Sequence, residues 1–235
     1  MDAEREARKR LAAERALELV QPDMRLGIGT GSTVRYFIEG LGRLVSGGLR
    51  VAGVTTSDRS SQLAREVGVP LLPQGTQGLD LAVDGADEIA PDLGLIKGGG
   101  GALLREKLVA SAAGRFVVIA DDAKLVPELG RGPLPVEVVP FRWEDTAGRV
   151  ERLNLRWELR GGESSPYVTD NGNLILDVRR PGGFGDPEAL AAALKAELGV
   201  VDHGLFLHLA RTCLVGGADG VRVLGEPLPS SSSRL

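Results

Sequence analysis

Cysteine occurs once in the 235 residues, at Cys213, so no internal disulfide and no multi-cysteine metal cluster can be built. Histidine occurs only at His203 and His208, and neither H-E-x-x-H nor G-x-S-x-G appears, which weakens zinc-protease and serine-hydrolase readings. No apolar run approaches the ~20 residues that span a bilayer. The first twenty residues mix both charge signs and lack the uninterrupted apolar core of a signal peptide. An excess of positive charge is also missing: the net charge of −4 and pI of about 5.4 leave no global basic field for nucleic acid. Lysine is scarce, with Lys9, Lys97, Lys107, Lys124 and Lys195 against 23 arginines, so each lysine is worth inspecting.

What remains is an ordinary globular composition, 43% apolar and 26% charged, long enough for one large or two modest domains. Helical apolar spacing over residues 3–19 ends at Pro22. Strand-like runs at 25–28, 50–55, 79–83, 93–96 and 116–120 then alternate with helix-like runs at 32–45, 60–67 and 102–113. That alternation predicts an open α/β sheet, whose ligands bind at the carboxyl ends of the strands. Pro127, Pro133, Pro135 and Pro140, with Gly130 and Gly132, mark a linker into a second unit.

Beyond it the pattern reads strand 134–139, helix 144–153, strand 155–159, a turn at Asp170-Asn171-Gly172, strand 174–178, helix 187–198 and strand 200–207. This is the order of a split β-α-β, ferredoxin-like unit. Residues 212–215 and 221–224 read as a hairpin returning to the first domain, and Ser230–Ser233 as a frayed end. The expected fold class is α/β: a Rossmann-like open-sheet domain (1–129 plus 208–235) with a smaller ferredoxin-like α+β domain (130–207) inserted near the C-terminal half.

Three segments carry chemistry. Gly27-Ile28-Gly29-Thr30-Gly31-Ser32-Thr33 joins a strand to a helix, where close backbone approach, unpaired N–H groups and two hydroxyls suit a phosphomonoester. A plain capped turn would give the same pattern, and the spacing is neither a P-loop nor G-x-G-x-x-G. Asp84-Gly85-Ala86-Asp87-Glu88 ends an apolar strand with three acids that can handle protons or bind hydroxyls, or simply form a turn. Lys97-Gly98-Gly99-Gly100-Gly101 can turn several N–H groups toward one oxyanion, with Lys97 adding a full charge. Glu106 lies about one turn past that loop, and Lys124 follows Asp121-Asp122.

Together these segments closely resemble one family, the A-type ribose-5-phosphate isomerases. The blocks are GIGTGST (27–33), TTSDRSS (55–61), DGADEI (84–89), KGGGGALLREK (97–107), IAD-x-x-K (119–124), PLPVEV (133–138) and VTDNGNLILDV (168–178). They keep their order and spacing over nearly the whole chain. The resemblance implies interconversion of D-ribose 5-phosphate and D-ribulose 5-phosphate in the non-oxidative pentose phosphate pathway. It implies Glu106 as proton-transferring base, with Asp84, Asp87 and Lys97 lining the reacting end. Thr30, Gly31, Ser32, Thr33, Gly85, Ala86, Gly98, Gly99, Gly100 and Lys124 would complete the substrate contacts. It implies no metal, no organic cofactor, no nucleic-acid or membrane partner, and a cytoplasmic homodimer or homotetramer. Lys9 is the nearest match to the family's N-terminal lysine, and His208 stands where small polar residues are common.

A non-catalytic sugar-phosphate sensor would need a DNA-binding domain, for which the first twenty residues are too short. A coenzyme A transferase with a nucleophilic glutamate would need room for a large nucleotide, and the chain shows no second half to supply it.

Overall fold

Residues 2–228 are described in the structure, a computed structural model, so the serine-rich stretch expected to fray lies outside the described residues. The chain divides into two units. Unit 1 takes the residues up to Gly85, Leu108–Lys124 and those from His208 on; unit 2 takes Ala86–Lys107 and Leu125–Leu207. Relative to the sequence expectation, residues 86–107 and 125–129 move to the second unit. Short strands made by those residues pair there, with partners too far along the chain for any sequence window to join.

In unit 1, strands β1 (Arg25–Ile28), β2 (Ala52–Thr55) and β3 (Leu79–Asp84) form one sheet with β6 (Ala113–Asp121), β12 (Thr212–Gly217) and β13 (Gly220–Gly225). Its order is β13-β12-β6-β3-β1-β2, and every pairing is parallel except that of β12 with β13. Parallel strands covered on both faces read as continuous apolar runs, which β1, β3 and β12 are. Helices α1 (Asp2–Leu17), α2 (Ser32–Ser46) and α3 (Asp58–Glu66) belong to this unit. On α2 the buried set Val34, Phe37, Ile38 and Leu41 recurs at i, i+3, i+4 and i+7, the spacing of one helix face. Phe37, Leu26 and Ile28 are fully buried, each worth roughly 1.5–3 kcal/mol of apolar transfer. From β1 the chain moves to β2 on one side, then returns to β3 on the other. Such a reversal opens a crevice at the strands' carboxyl ends.

In unit 2, β7 (Leu134–Val138), α5 (Trp143–Glu151), β8 (Arg156–Leu159), β9 (Leu174–Arg179), α6 (Pro187–Ala196) and β10 (Val200–His203) form an antiparallel sheet with two helices. Its order β10-β7-β9-β8 is that of a ferredoxin-like unit. Asp186 caps α6 by accepting from the N–H groups of Glu188 (2.9 Å) and Ala189 (3.1 Å), with Pro187 in the first turn. A second, three-stranded sheet orders β11 (Leu205–Phe206), β5 (Leu95–Ile96) and β4 (Glu88–Ile89).

Two expectations change here. The single strand over 200–207 is two, because Gly204 separates a stretch that pairs with β7 from one that pairs with β5. The strand over 93–96 shortens to β5, since Leu93 has φ +64° and Asp92 accepts from the Gly94 N–H at 2.9 Å, a local turn. Helix α4 (Leu103–Ala112) counts with unit 2 through Lys107 and with unit 1 from Leu108.

Candidate active site

In unit 1 the loops that follow β1 and β3 bring together residues the sequence singled out. Asp84, at the end of β3 and 3% exposed, accepts through Oδ1 from the N–H groups of Thr30 (3.0 Å) and Gly85 (2.7 Å). A side chain at position 29 could not coexist with this arrangement: a Cβ there would lie 2.1 Å from the Asp84 carboxylate. Glycine at 29 is therefore what lets the acid reach the loop. The Thr30 hydroxyl bonds to those of Thr56 and Ser57, both at 2.8 Å, and Ser60 at 3.2 Å, and Ser60 donates to the Gly29 carbonyl at 2.7 Å. Thr30 is thus part of the loop's framework.

Past it, α2 begins with Gly31 as N-cap and no side-chain cap bond. The first-turn residues Ser32, exposed, and Thr33, 8% exposed, present hydroxyls beside amides that the N-cap glycine has no side chain to satisfy. An anion is the natural complement of such a helix start. A cavity of about 500 Å³ is lined here by Gly31, Ser32, Arg35, Arg59 and Ser60 among others. On α1, Lys9 is 9% exposed and pairs with Glu6 at 2.6 Å; Glu6 also accepts from the Tyr36 hydroxyl at 2.5 Å. The Lys9 hydrogen bond, then that of Tyr36, holds the Glu6 carboxyl below its ordinary range. Lys124 ends the short 3-10 turn 122–124 after β6 and is half-buried. His208, which the sequence marked as unusual, is exposed with φ +56°.

In unit 2 two residues the sequence singled out meet as a buried ion pair. Lys97 and Glu106 are 2% and 5% exposed, and Nζ lies 3.3 Å from Oε2. Such a pair is sustained in a dry environment only because each charge offsets the other. Asp87, partly exposed, accepts from the Gly99 N–H at 2.7 Å. Gly98 has φ +102°, and a Cβ there would lie 2.9 Å from that of Leu103, so the turn between Lys97 and α4 requires glycine.

Two of this loop's amides are engaged within the protein. Gly99 gives its N–H to Asp87 and Gly101 gives its own to the Gly98 carbonyl, leaving Gly98 and Gly100 as the loop's donors. The reason is that a four-glycine turn must satisfy its own polar groups before it can serve a ligand. Glu88, the third acid of the DGADE block, is structural. It is 5% exposed and accepts from the N–H groups of Gly130 (2.7 Å) and Gly132.

Several residues that shape this half carry no local motif. Arg160 donates to the carbonyls of Gly98 (2.9 Å) and Gly99 (3.3 Å) while bridging to Asp177 through two nitrogens. Tyr167 donates to the Gly100 carbonyl at 3.3 Å. Lys107 binds Asp202 at 2.5 Å and the His203 carbonyl at 2.6 Å. Burial lowers the Lys107 ammonium below its ordinary range, against the opposing pull of Asp202. In the sequence Lys107 stood out through the rarity of lysine and as the last residue of the KGGGGALLREK block.

Unit 1 thus carries a glycine loop at a helix start anchored by Asp84, and unit 2 a buried Lys–Glu pair beside a loop anchored by Asp87. The family model for ribose 5-phosphate isomerase A (phosphoriboisomerase A) matches residues 52–220. The ribose-5-phosphate isomerase A of Deinococcus radiodurans is 49% identical over 93% of this chain and 98% of its own, and that of Roseiflexus castenholzii 53% identical over 93% and 95%. Among solved structures, the Methanocaldococcus jannaschii ribose 5-phosphate isomerase A superposes with a TM-score of 0.89 at 38% identity, covering 94% of this chain and 99% of its own. A D-ribose-5-phosphate isomerase in complex with phospho-erythronic acid gives the same TM-score at 39% identity and the same coverage. Family model, relatives and fold agree, and the chain belongs to the ribose 5-phosphate isomerase A family.

Proposed function

We propose that this chain interconverts D-ribose 5-phosphate and D-ribulose 5-phosphate through a cis-enediolate, with Glu106 carrying the proton between C2 and C1. The observation that carries the reading is the buried Lys97–Glu106 pair at 3.3 Å, a base beside a fixed positive charge. The aldehyde at C1 acidifies the C2 proton, and the Glu106 carboxylate removes it. The electron pair forms the C1–C2 double bond while the carbonyl oxygen becomes an oxyanion. Lys97 and the amides of Gly98 and Gly100 stabilise that charge, the largest contribution such sites usually make. Asp87 moves the hydroxyl proton between O2 and O1, and Glu106 returns its proton to C1, leaving the ketone at C2.

The phosphate belongs at the start of α2, where Ser32 and Thr33 add hydroxyls to the helix amides. Lys124 and Lys9 supply further positive charge in the same unit. Asp84 holds the Thr30–Gly31 turn that presents this anion site.

No residue role in this scheme calls for a metal or an organic cofactor. The enzyme works in the cytoplasm as a homodimer or homotetramer, for which the exposed Phe141 (82%) and Leu198 (75%) of unit 2 offer apolar surface. Among the described residues no helix is long and apolar enough to cross a membrane.

The test is ketose formation by the purified protein from D-ribose 5-phosphate, with and without exhaustive chelation. Equal rates in both are expected. Absence of ketose overturns the assignment, and a rate lost to the chelator and restored by one divalent metal overturns the metal-free route.

A further inference from the structure

The ring of Phe206 is fully buried, and two ammonium groups lie over it: Lys97 Nζ at 5.4 Å and Lys107 Nζ at 5.0 Å from the centroid. Each lysine also meets a carboxylate, Glu106 at 3.3 Å for Lys97 and Asp202 at 2.5 Å for Lys107. Two ion pairs therefore share one aromatic ring, and all five residues belong to unit 2. The ring's place is set by backbone pairing. Phe206 stands opposite Leu95 in the β11–β5 ladder, and the Lys97 N–H donates to the Gly204 carbonyl at 2.9 Å.

Two ammonium groups beside one apolar side chain would be costly if that side chain were aliphatic, since it would give nothing back for lost hydration. An aromatic face differs. Its quadrupole attracts a cation, most strongly where water is excluded. It also accepts no proton and takes up no lone-pair contact of the kind a carboxylate makes.

We infer that Phe206 is a positioning residue for the isomerisation: its ring holds the Lys97 ammonium charged and aimed beside Glu106. This rests on the oxyanion role given to Lys97 above.

The experiment replaces Phe206 with 4-fluoro-, 3,5-difluoro- and 3,4,5-trifluorophenylalanine, which withdraw the ring's negative potential stepwise at nearly constant volume. The expected kcat falls at each step, to about one tenth in the trifluoro protein, with KM for ribose 5-phosphate within about twofold. A residue that merely filled space would leave kcat level across the series, and that result overturns the inference. In a second arm, Phe206→Leu is made in the wild-type and Lys97→Met backgrounds. Its effect on kcat should disappear when Lys97 is absent, and an undiminished effect overturns the inference. Where Phe206→Leu does not fold, the fluorinated series decides alone. A Lys97→Met enzyme with near-wild-type kcat overturns both the inference and the role of Lys97; a crippled Lys97→Met enzyme with a level fluorine series overturns the inference only.

Discussion

Glu106 and Lys107 are consecutive in α4 yet are drawn to partners of opposite charge, Glu106 to Lys97 at 3.3 Å and Lys107 to Asp202 at 2.5 Å. The turn that carries the proposed base is therefore held from two directions. Its carboxylate faces a fixed cation while the next side chain is tied to β10. A proton carrier must stay within hydrogen-bond reach of two adjacent carbons, and this double tether limits how far its backbone can drift.

Replacing Glu106 with Gln keeps the shape and removes the proton acceptor. The fold should survive and kcat should fall by about 10²–10⁴-fold or more, with KM little changed. Deuterium from solvent should cease to appear at C2 of recovered ribose 5-phosphate. A near-wild-type kcat would move the base to Asp84 or Asp87.

The anion site gives a different signature. Ser32→Ala with Thr33→Ala should raise KM for ribose 5-phosphate and leave kcat nearly intact, because the lost contacts are made equally in ground and transition states. Unphosphorylated ribose should be a very poor substrate, since remote binding energy is forfeited. Equal turnover of ribose and ribose 5-phosphate would remove the phosphate from α2.

Glu88 tests architecture apart from chemistry. Its carboxylate accepts from two backbone N–H groups in the Gly130–Gly132 segment. Glu88→Ala leaves those half-buried donors without their carboxylate partner and should lower the melting temperature by a few degrees. Unchanged thermal unfolding would show that the segment is held by other contacts.

His203 makes stability depend on pH. It is 6% exposed, accepts from the Leu205 N–H at 3.3 Å and has Lys107 Nζ at 3.5 Å. Burial, then the neighbouring Lys107 charge, pushes its imidazole from 6.5 down to about 4. The unfolded chain thus binds a proton that the folded chain refuses between those values. The contribution is complete above about pH 6.5 and is lost as pH falls toward 4, with a ceiling of about 3 kcal/mol. Urea midpoints measured from pH 7 to pH 4.5 should fall, and His203→Asn should flatten that fall. A slope unaltered by the substitution would assign it to carboxylates instead.

Much of this was legible in the sequence where information is local. Residues 25–28 read as a strand and are one, because an apolar run bounded by Pro22 and a glycine turn leaves little choice. The buried face of α2 follows from its 3.6-residue period. The two-residue strands β4, β5 and β11 were missed or merged, since each is too short to show a period and exists only through partners as distant as Ile96 and Leu205. The turn at Asp170-Asn171-Gly172 was legible because both Asn171 and Gly172 tolerate positive φ. Only Gly172 adopts it, at +78°, because the turn closes from Thr169 to Gly172 over four residues. Lys97 and Glu106 were legible through the family's blocks. Phe206 and Asp202 were not, for nothing in a Gly-Leu-Phe stretch announces that lysines about a hundred residues earlier will meet it.

The place of β12 has a consequence for how the protein is made. β6 pairs with β3 on one side and with β12 on the other, yet roughly ninety residues separate Asp121 from Thr212. At ribosomal speed that interval lasts on the order of ten seconds. For that time a central strand rich in Val, Ile and Phe is an open edge, the kind of surface that recruits strands from other nascent chains. The four-stranded sheet of unit 2 needs nothing beyond His203, so it can close before β12 leaves the exit tunnel. Chaperone demand should therefore peak late in synthesis, and circular permutants that place 212–225 ahead of β1 should shed it.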